Sequence, residues 1–186
     1  MPQIEEFESY KIKEASIQFK DESAVSFGCV GTLDVSSNIE KVEKKCEGRT
    51  VKTVKKITDM TVAVTAHVKV AVNRKLSGLK STGLKTGVYG YGSESFSAPF
   101  VFTAKVLDMD GNVKYIAFPN LENVKGLSLK VNNDVTEIEM DDMEFSALVD
   151  SEDFYYYEAF ESEITDENVK TKWLTNFTPE LVKQSQ

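Results

Sequence analysis

The chain has 186 residues, 41% of them hydrophobic and 10% aromatic, which excludes a disordered chain and suffices for one domain to bury its own core. Its longest apolar run is too short for a membrane span, its acidic start MPQIEEFESY lacks the apolar centre of a signal peptide, and two cysteines make no disulfide framework. The net charge of −8 is unevenly spread: Lys41 to Lys85 holds twelve basic and three acidic residues, whereas Asp134 to Glu167 holds fourteen acidic residues and no basic one.

In chain order, a first strand pair is expected from Ala15 to Phe19 and from Val25 to Val35, joined around Asp21-Glu22-Ser23. Cys29, inside AVSFGCV, reads as a small buried hydrophobe, and Cys46, in a lysine-rich stretch, as an ordinary free thiol. The segment Ile39 to Lys56 has neither a period of two nor one of 3.6 and is expected as a long charged loop or an extended hairpin. Thr61 to Asn73, TVAVTAHVKVAVN, alternates over its whole length. Val62, Val64, Ala66, Val68, Val70 and Val72 fall on one side, which predicts a long, half-buried strand. A turn of helix is possible from Asn73 to Leu79, weakened by Gly78.

Val101 to Phe118 reads as a β-hairpin around Asp110-Gly111-Asn112, with Pro119 ending its second strand. Leu127 to Val131 and Val135 to Phe145 look like another pair, turning at Asn132-Asn133-Asp134. Near the end, Thr165 or Asp166 caps a short helix through Phe177. Val169, Trp173 and Phe177 lie on one side of it, and Pro179 serves as a stop.

Catalytic chemistry finds little support. His67 is the only histidine and falls on the polar side of a strand, and neither a GxSxG turn nor an HExxH helix is present. Gly78 to Gly92 lacks the spacing of a phosphate-binding loop and reads as a connection between strands. Glu137, Glu139 and Asp141 alternate with Ile138 and Met140. That pattern places three like charges on one exposed strand face, an arrangement without the distinct environments an acid–base pair needs. No enzyme, metal site or cofactor is expected. The run Phe154-Tyr155-Tyr156-Tyr157 allows two readings: strand residues that alternate between the interior and an interface, or a platform for sugar rings.

The stretch GLKSTGLKTGVYGYGSESFSAPFVFTAKVLDMDGNVKYIAFPN resembles the centre of tail tube (major tail) proteins of long-tailed phages of Gram-positive bacteria. The likeness lies in GVYGYG followed by FVFTAKV, DGNVKY and a Phe-Pro pair, in that order and spacing. The preceding KKCEGRTVKTVKKITDMTVAVTAHV is similar as a charged loop feeding a long strand, and the likeness covers about Phe19 to Phe145.

The resemblance implies a mainly β fold, a β-sandwich or barrel with long half-buried strands and one short flanking helix. Residues 1–145 would form the tail-tube β domain, with a charged loop at about 39–58. Residues 146–186 would be an acidic, tyrosine-rich C-terminal extension packed on the same domain. It further implies six copies in a ring, rings stacked into a tube, and DNA passing through the lumen without specific binding. Partners would be the chain itself and the tape-measure, tail terminator and distal tail proteins, with no membrane binding. The setting would be the virion tail, after assembly in the host cytoplasm.

Two groups of residues then acquire expected roles. Glu137, Glu139 and Asp141 are candidates for an acidic lumen lining that repels phosphate over a Debye length of roughly 8 Å; a solvated outer face fits them equally. Lys41, Lys44, Lys45, Arg49, Lys52, Lys55 and Lys56 are candidates for contacts between stacked rings, opposite an acidic surface on the neighbouring copy. A solvated loop is the plain alternative. Two other functions stay open: the tube of a headless, tail-like bacteriocin, and a β-sandwich module that binds carbohydrate.

Overall fold

The computed structural model describes residues 4–133 and 136–184. The protein is mainly β, with one eight-stranded antiparallel sheet and two short α-helices among the described residues. Strands β1 (Lys11–Phe19), β2 (Val25–Ser26), β3 (Gly28–Cys46) and β4 (Arg49–Val68) precede helix α1 (Val70–Leu76). Strands β5 (Phe100–Leu107), β6 (Val113–Asn123), β7 (Asp141–Ala147) and β8 (Tyr157–Phe160) follow, and then helix α2 (Glu167–Lys172). Among the described residues, no helix is long and apolar enough to cross a membrane.

The strand order β2-β1-β5-β6-β7-β4-β3, with β8 added to β6, puts β2 and β3 at opposite ends of the sheet. Yet only Phe27 separates them in the chain. The sheet must therefore curl until its two ends meet, which gives a barrel-like wall that stays open between β1 and β3. Gly28 makes the corner: its φ of +128° disfavours any side chain, and a Cβ there would lie 2.1 Å from the His67 carbonyl oxygen. A groove of about 460 Å3 runs along the open seam, lined in part by Tyr10, Ile12, Val30, Leu33, Val106 and Ile116.

Inside the curl, inward-facing residues of β1, β4, β5, β6 and β7, together with Phe27, form the core. Ile17, Phe27, Val62, Ala66, Phe102, Phe118, Leu121 and Phe145 are all fully buried. Helix α1 adds Val72 and Leu76, four apart and hence on one face. The β5–β6 hairpin is covered on its outer face as well. There Tyr115 and Ala117 pack against Trp173 and Phe177, and the Trp173 indole donates to the Ile116 carbonyl at 3.0 Å. Asp166 caps α2 by accepting from the Asn168 amide at 2.8 Å, as its position before the apolar positions Val169 and Trp173 predicts.

Several expectations need correction. The first strand pair forms only as β1 with β2, through Ser16–Ser26 and Ile17–Val25, whereas β3 pairs with β4 along its whole length. The strand expected over Thr61 to Asn73 begins earlier, at Arg49, and stops at Val68. Beyond it the buried positions switch from a period of two to the Val72/Leu76 spacing of a helix, and Val70 is left exposed. That helix ends in a Schellman motif: Leu79 N–H donates to the Arg74 carbonyl, Gly78 N–H donates to the Lys75 carbonyl, and Gly78 has a φ of +63°.

Pro119 does not end β6. It sits where Phe102 faces Phe118 while Phe100 faces Leu121, a bulge in which its missing N–H costs no ladder bond. Residues 127–131 form no strand, and Asp134 and Val135 of the expected turn and strand lie outside the described residues. Cys29 is exposed instead of buried, because it is paired across the ladder with His67 on the side away from the core.

Candidate functional site

The segment expected as a charged loop or an extended hairpin is a two-stranded ribbon. β3 and β4 stay paired up to Cys46–Arg49, and the turn residues Glu47 and Gly48 both have positive φ (48° and 77°), the geometry whose twist suits a tight hairpin. β7 pairs with β4 only from Met60 to Ala66. Among the described residues, 39–57 therefore find strand partners only in each other and extend about 25 Å from the sheet at ~3.3 Å per residue. We call this ribbon the arm.

All seven singled-out basic residues lie on it, Lys41, Lys44 and Lys45 on β3 and Arg49, Lys52, Lys55 and Lys56 on β4. Lys41 stands opposite Lys55, and Lys44 opposite Lys52. Like charges facing each other across a ladder are unfavourable in a free hairpin. Among the described residues only Lys45 has an acidic partner within 4 Å, Glu43 at 3.9 Å. Interleaved with these cations are Ile39, Val42, Val51, Val54 and Ile57, all exposed. The arm is thus apolar, basic and uncovered.

Its base is tied down by Asp59 and Ser146, which the sequence does not flag, and by Tyr155 of the tyrosine run. Between Asn38–Asp59 and Ile39–Ile57 the register shifts, so Thr58 is an extra residue. The Asp59 carboxylate accepts from Thr58 Oγ1 (2.8 Å), Asn38 Nδ2 (3.1 Å) and Ser146 Oγ (3.0 Å). These three hydrogen bonds, Thr58 first, hold the Asp59 carboxyl below its ordinary range against the opposing effect of burial. From the C-terminal region the Tyr155 hydroxyl reaches the carbonyls of Ile57 (3.1 Å) and Thr58 (3.3 Å). Asp59, Ser146 and Tyr155 are far apart in sequence, and no local pattern marks them as partners.

The three acidic candidates are not on one strand face. Asp141 opens β7, but Glu137 and Glu139 precede it in irregular chain, because residues 127–131 supply no partner strand. Glu139 instead meets Lys130 at 2.6 Å, and Asp142 approaches the same amine at 3.8 Å. The Lys130 hydrogen bond draws the Glu139 carboxyl below its usual range and raises the lysine. Other members of the acidic block are also engaged within the fold: Asp150 accepts from the Tyr157 hydroxyl (2.7 Å), Glu161 from Tyr115 (2.8 Å), and Glu152 from Lys183 (2.7 Å).

The tyrosine run is not one strand, since β8 starts only at Tyr157. Tyr156 packs on Phe118 and Tyr157 on Phe177, with ring centroids 5.1 and 5.5 Å apart. Burial first, and then the neighbouring carboxylates, push both hydroxyls to higher pKa. Among the described residues no group of three or more His, Cys, Asp or Glu side chains is arranged to hold a metal ion. Compared with known proteins, the chain matches no protein-family model and no curated sequence.

Proposed function

We propose that this chain is a structural subunit that works by self-assembly, as the subunit of a phage tail tube. Copies join into rings, six to a ring by the family resemblance, and rings stack around a lumen through which DNA passes. The observation that carries this reading is the arm. A ribbon of about 25 Å with exposed isoleucines and valines, and with lysines opposed to lysines, is a poor free structure and a suitable contact for an acidic neighbour. The chain itself supplies that neighbour, with fourteen acidic residues and no basic one from Asp134 to Glu167.

The open seam points the same way. Among the described residues, the outer edge of β3 and most of the outer edge of β1 carry no partner strand, and edges of this kind are satisfied when sheets of adjacent copies join. A net charge of −8 disfavours tight binding of DNA in the lumen. Glu137 and Asp141 remain candidates for its lining, whereas Glu139 is already paired with Lys130. Assembly partners would be the tape-measure, terminator and distal tail proteins, and no catalytic step is assigned. A headless tail-like particle would use the same subunit.

A sugar-binding role for the tyrosine run is less favoured, because Tyr155, Tyr156 and Tyr157 each spend their hydroxyl on a partner within the chain. Negative-stain electron microscopy of the concentrated protein tests the proposal, with rings or tubes as the expected result. Protein that stays monomeric at every concentration, and also beside its tail partners, refutes it.

A further inference from the structure

The arm has two faces, and each carries its own apolar pair. Residues directly opposed in an antiparallel ladder share a face, and successive residues alternate between faces. Between the two register shifts of the arm, one face therefore holds Ile39 with Ile57, Lys41 with Lys55 and Glu43 with Thr53. The other face holds Val42 with Val54, Lys44 with Lys52 and Glu40 with Lys56. The exposure of the two apolar pairs is similar: 53% and 45% for Ile39 and Ile57, 63% and 55% for Val42 and Val54.

A half-buried sheet shows apolar residues on one face and polar residues on the other. A ribbon laid on a single surface would follow that rule, yet this one is apolar and basic on both sides. A lone two-stranded ribbon is also marginally stable in water, so burial of its faces has to come from elsewhere. Within the described chain nothing pairs with the arm, and its base is clamped by Asp59 and Tyr155 so that it projects from the body.

We propose that the arm inserts between two further copies of this chain, each covering one face. The inference rests on the assembly reading above and adds the mode of contact. Charge supports the choice of occupant, since both faces are net basic while the chain as a whole is acidic. An arm held on both sides links three copies instead of two. Its displacement would then disrupt two contacts at once.

The test compares the faces. Ile39→Thr with Ile57→Thr strips one face, and Val42→Thr with Val54→Thr strips the other. Threonine keeps the β-branched shape that suits strands, and the arm lies outside the core, so both variants should melt like the parent protein. Each is expected to raise the concentration needed for assembly at least about tenfold, equivalent to ~1.4 kcal/mol. If either variant assembles like the parent, the two-sided insertion is wrong.

A measurement on the unmodified protein stands beside it. Lysine acetylation read by mass spectrometry should show Lys41 and Lys55, and also Lys44 and Lys52, protected in the assembled form relative to the monomer. One pair left as reactive as in the monomer overturns the proposal while leaving the assembly reading intact. Failure of the parent protein to assemble at all sinks the assembly reading itself, and this inference with it.

Discussion

The clamp at the base of the arm makes a demanding prediction, because its members come from three separate segments. Asp59→Ala removes an acceptor that takes three hydrogen bonds, from Thr58, Asn38 and Ser146. Hydrogen bonds to a charged group contribute about 1.5–3 kcal/mol when shielded, but these donors are partly exposed and water can replace the lost acceptor. A net loss of about 1–2 kcal/mol in the free energy of opening the arm base is therefore expected. Tyr155→Phe removes one hydroxyl shared between two carbonyls and should cost about 0.5–1.5 kcal/mol. Since ~1.4 kcal/mol is a tenfold change, amide hydrogen exchange near the base, at Ile39–Val42 and Val54–Thr58, should accelerate roughly five- to thirtyfold in the Asp59 variant.

Exchange in the core of β4, at Val62–Ala66, should change far less. The same carboxylate sets a pH dependence. Its folded pKa lies below the unfolded value, so its contribution is complete above the unfolded pKa and is lost as pH falls through the folded one. Protection factors at the arm base, corrected for intrinsic exchange, should therefore drop below about pH 4 in the parent protein and not in the Asp59 variant. If both variants exchange at the arm base like the parent, the clamp does not hold the arm.

Three further outcomes follow from the packing and the charge. Trp173→Ala empties a site between Tyr115 and Phe177 and frees the Ile116 carbonyl; it should cost about 3–5 kcal/mol, and a melting midpoint within a degree of the parent contradicts the docking of α2. Gly28→Ala would drive a Cβ to 2.1 Å from the His67 oxygen at a φ of +128°, so a loss of at least about 2 kcal/mol in chemical denaturation is expected, and none would mean that the corner is not as tight as described. Replacing Lys44, Lys45 and Lys52 together by glutamate should leave the monomer's melting unchanged and hinder assembly; polymerisation at the parent's concentration removes the arm's charge from the mechanism.

Much of the local structure is legible in the residues themselves. The alternation of Val62, Val64 and Ala66, the turn inside Val101 to Phe118, and the Asp166 cap ahead of Trp173 each depend on neighbours a few positions away. Charge blocks are equally plain, since they need only counting. The arm itself is only half visible. Its apolar residues alternate with cations on both faces, so no buried side produces a clean period of two.

Partnership is another matter. That β3 leaves β2 after one residue and pairs with β4, that Pro119 falls in a bulge, and that Glu139 meets Lys130 instead of joining a strand are outcomes of the whole sheet's curl. A strand's period reports which of its faces is buried, but it carries no information about which distant segment supplies the ladder's hydrogen bonds. Those long-range pairings compete with one another for a single arrangement of the sheet, and only the folded chain decides among them. The clamp of Asp59, Ser146 and Tyr155 exists because that arrangement brings three unrelated segments to one point.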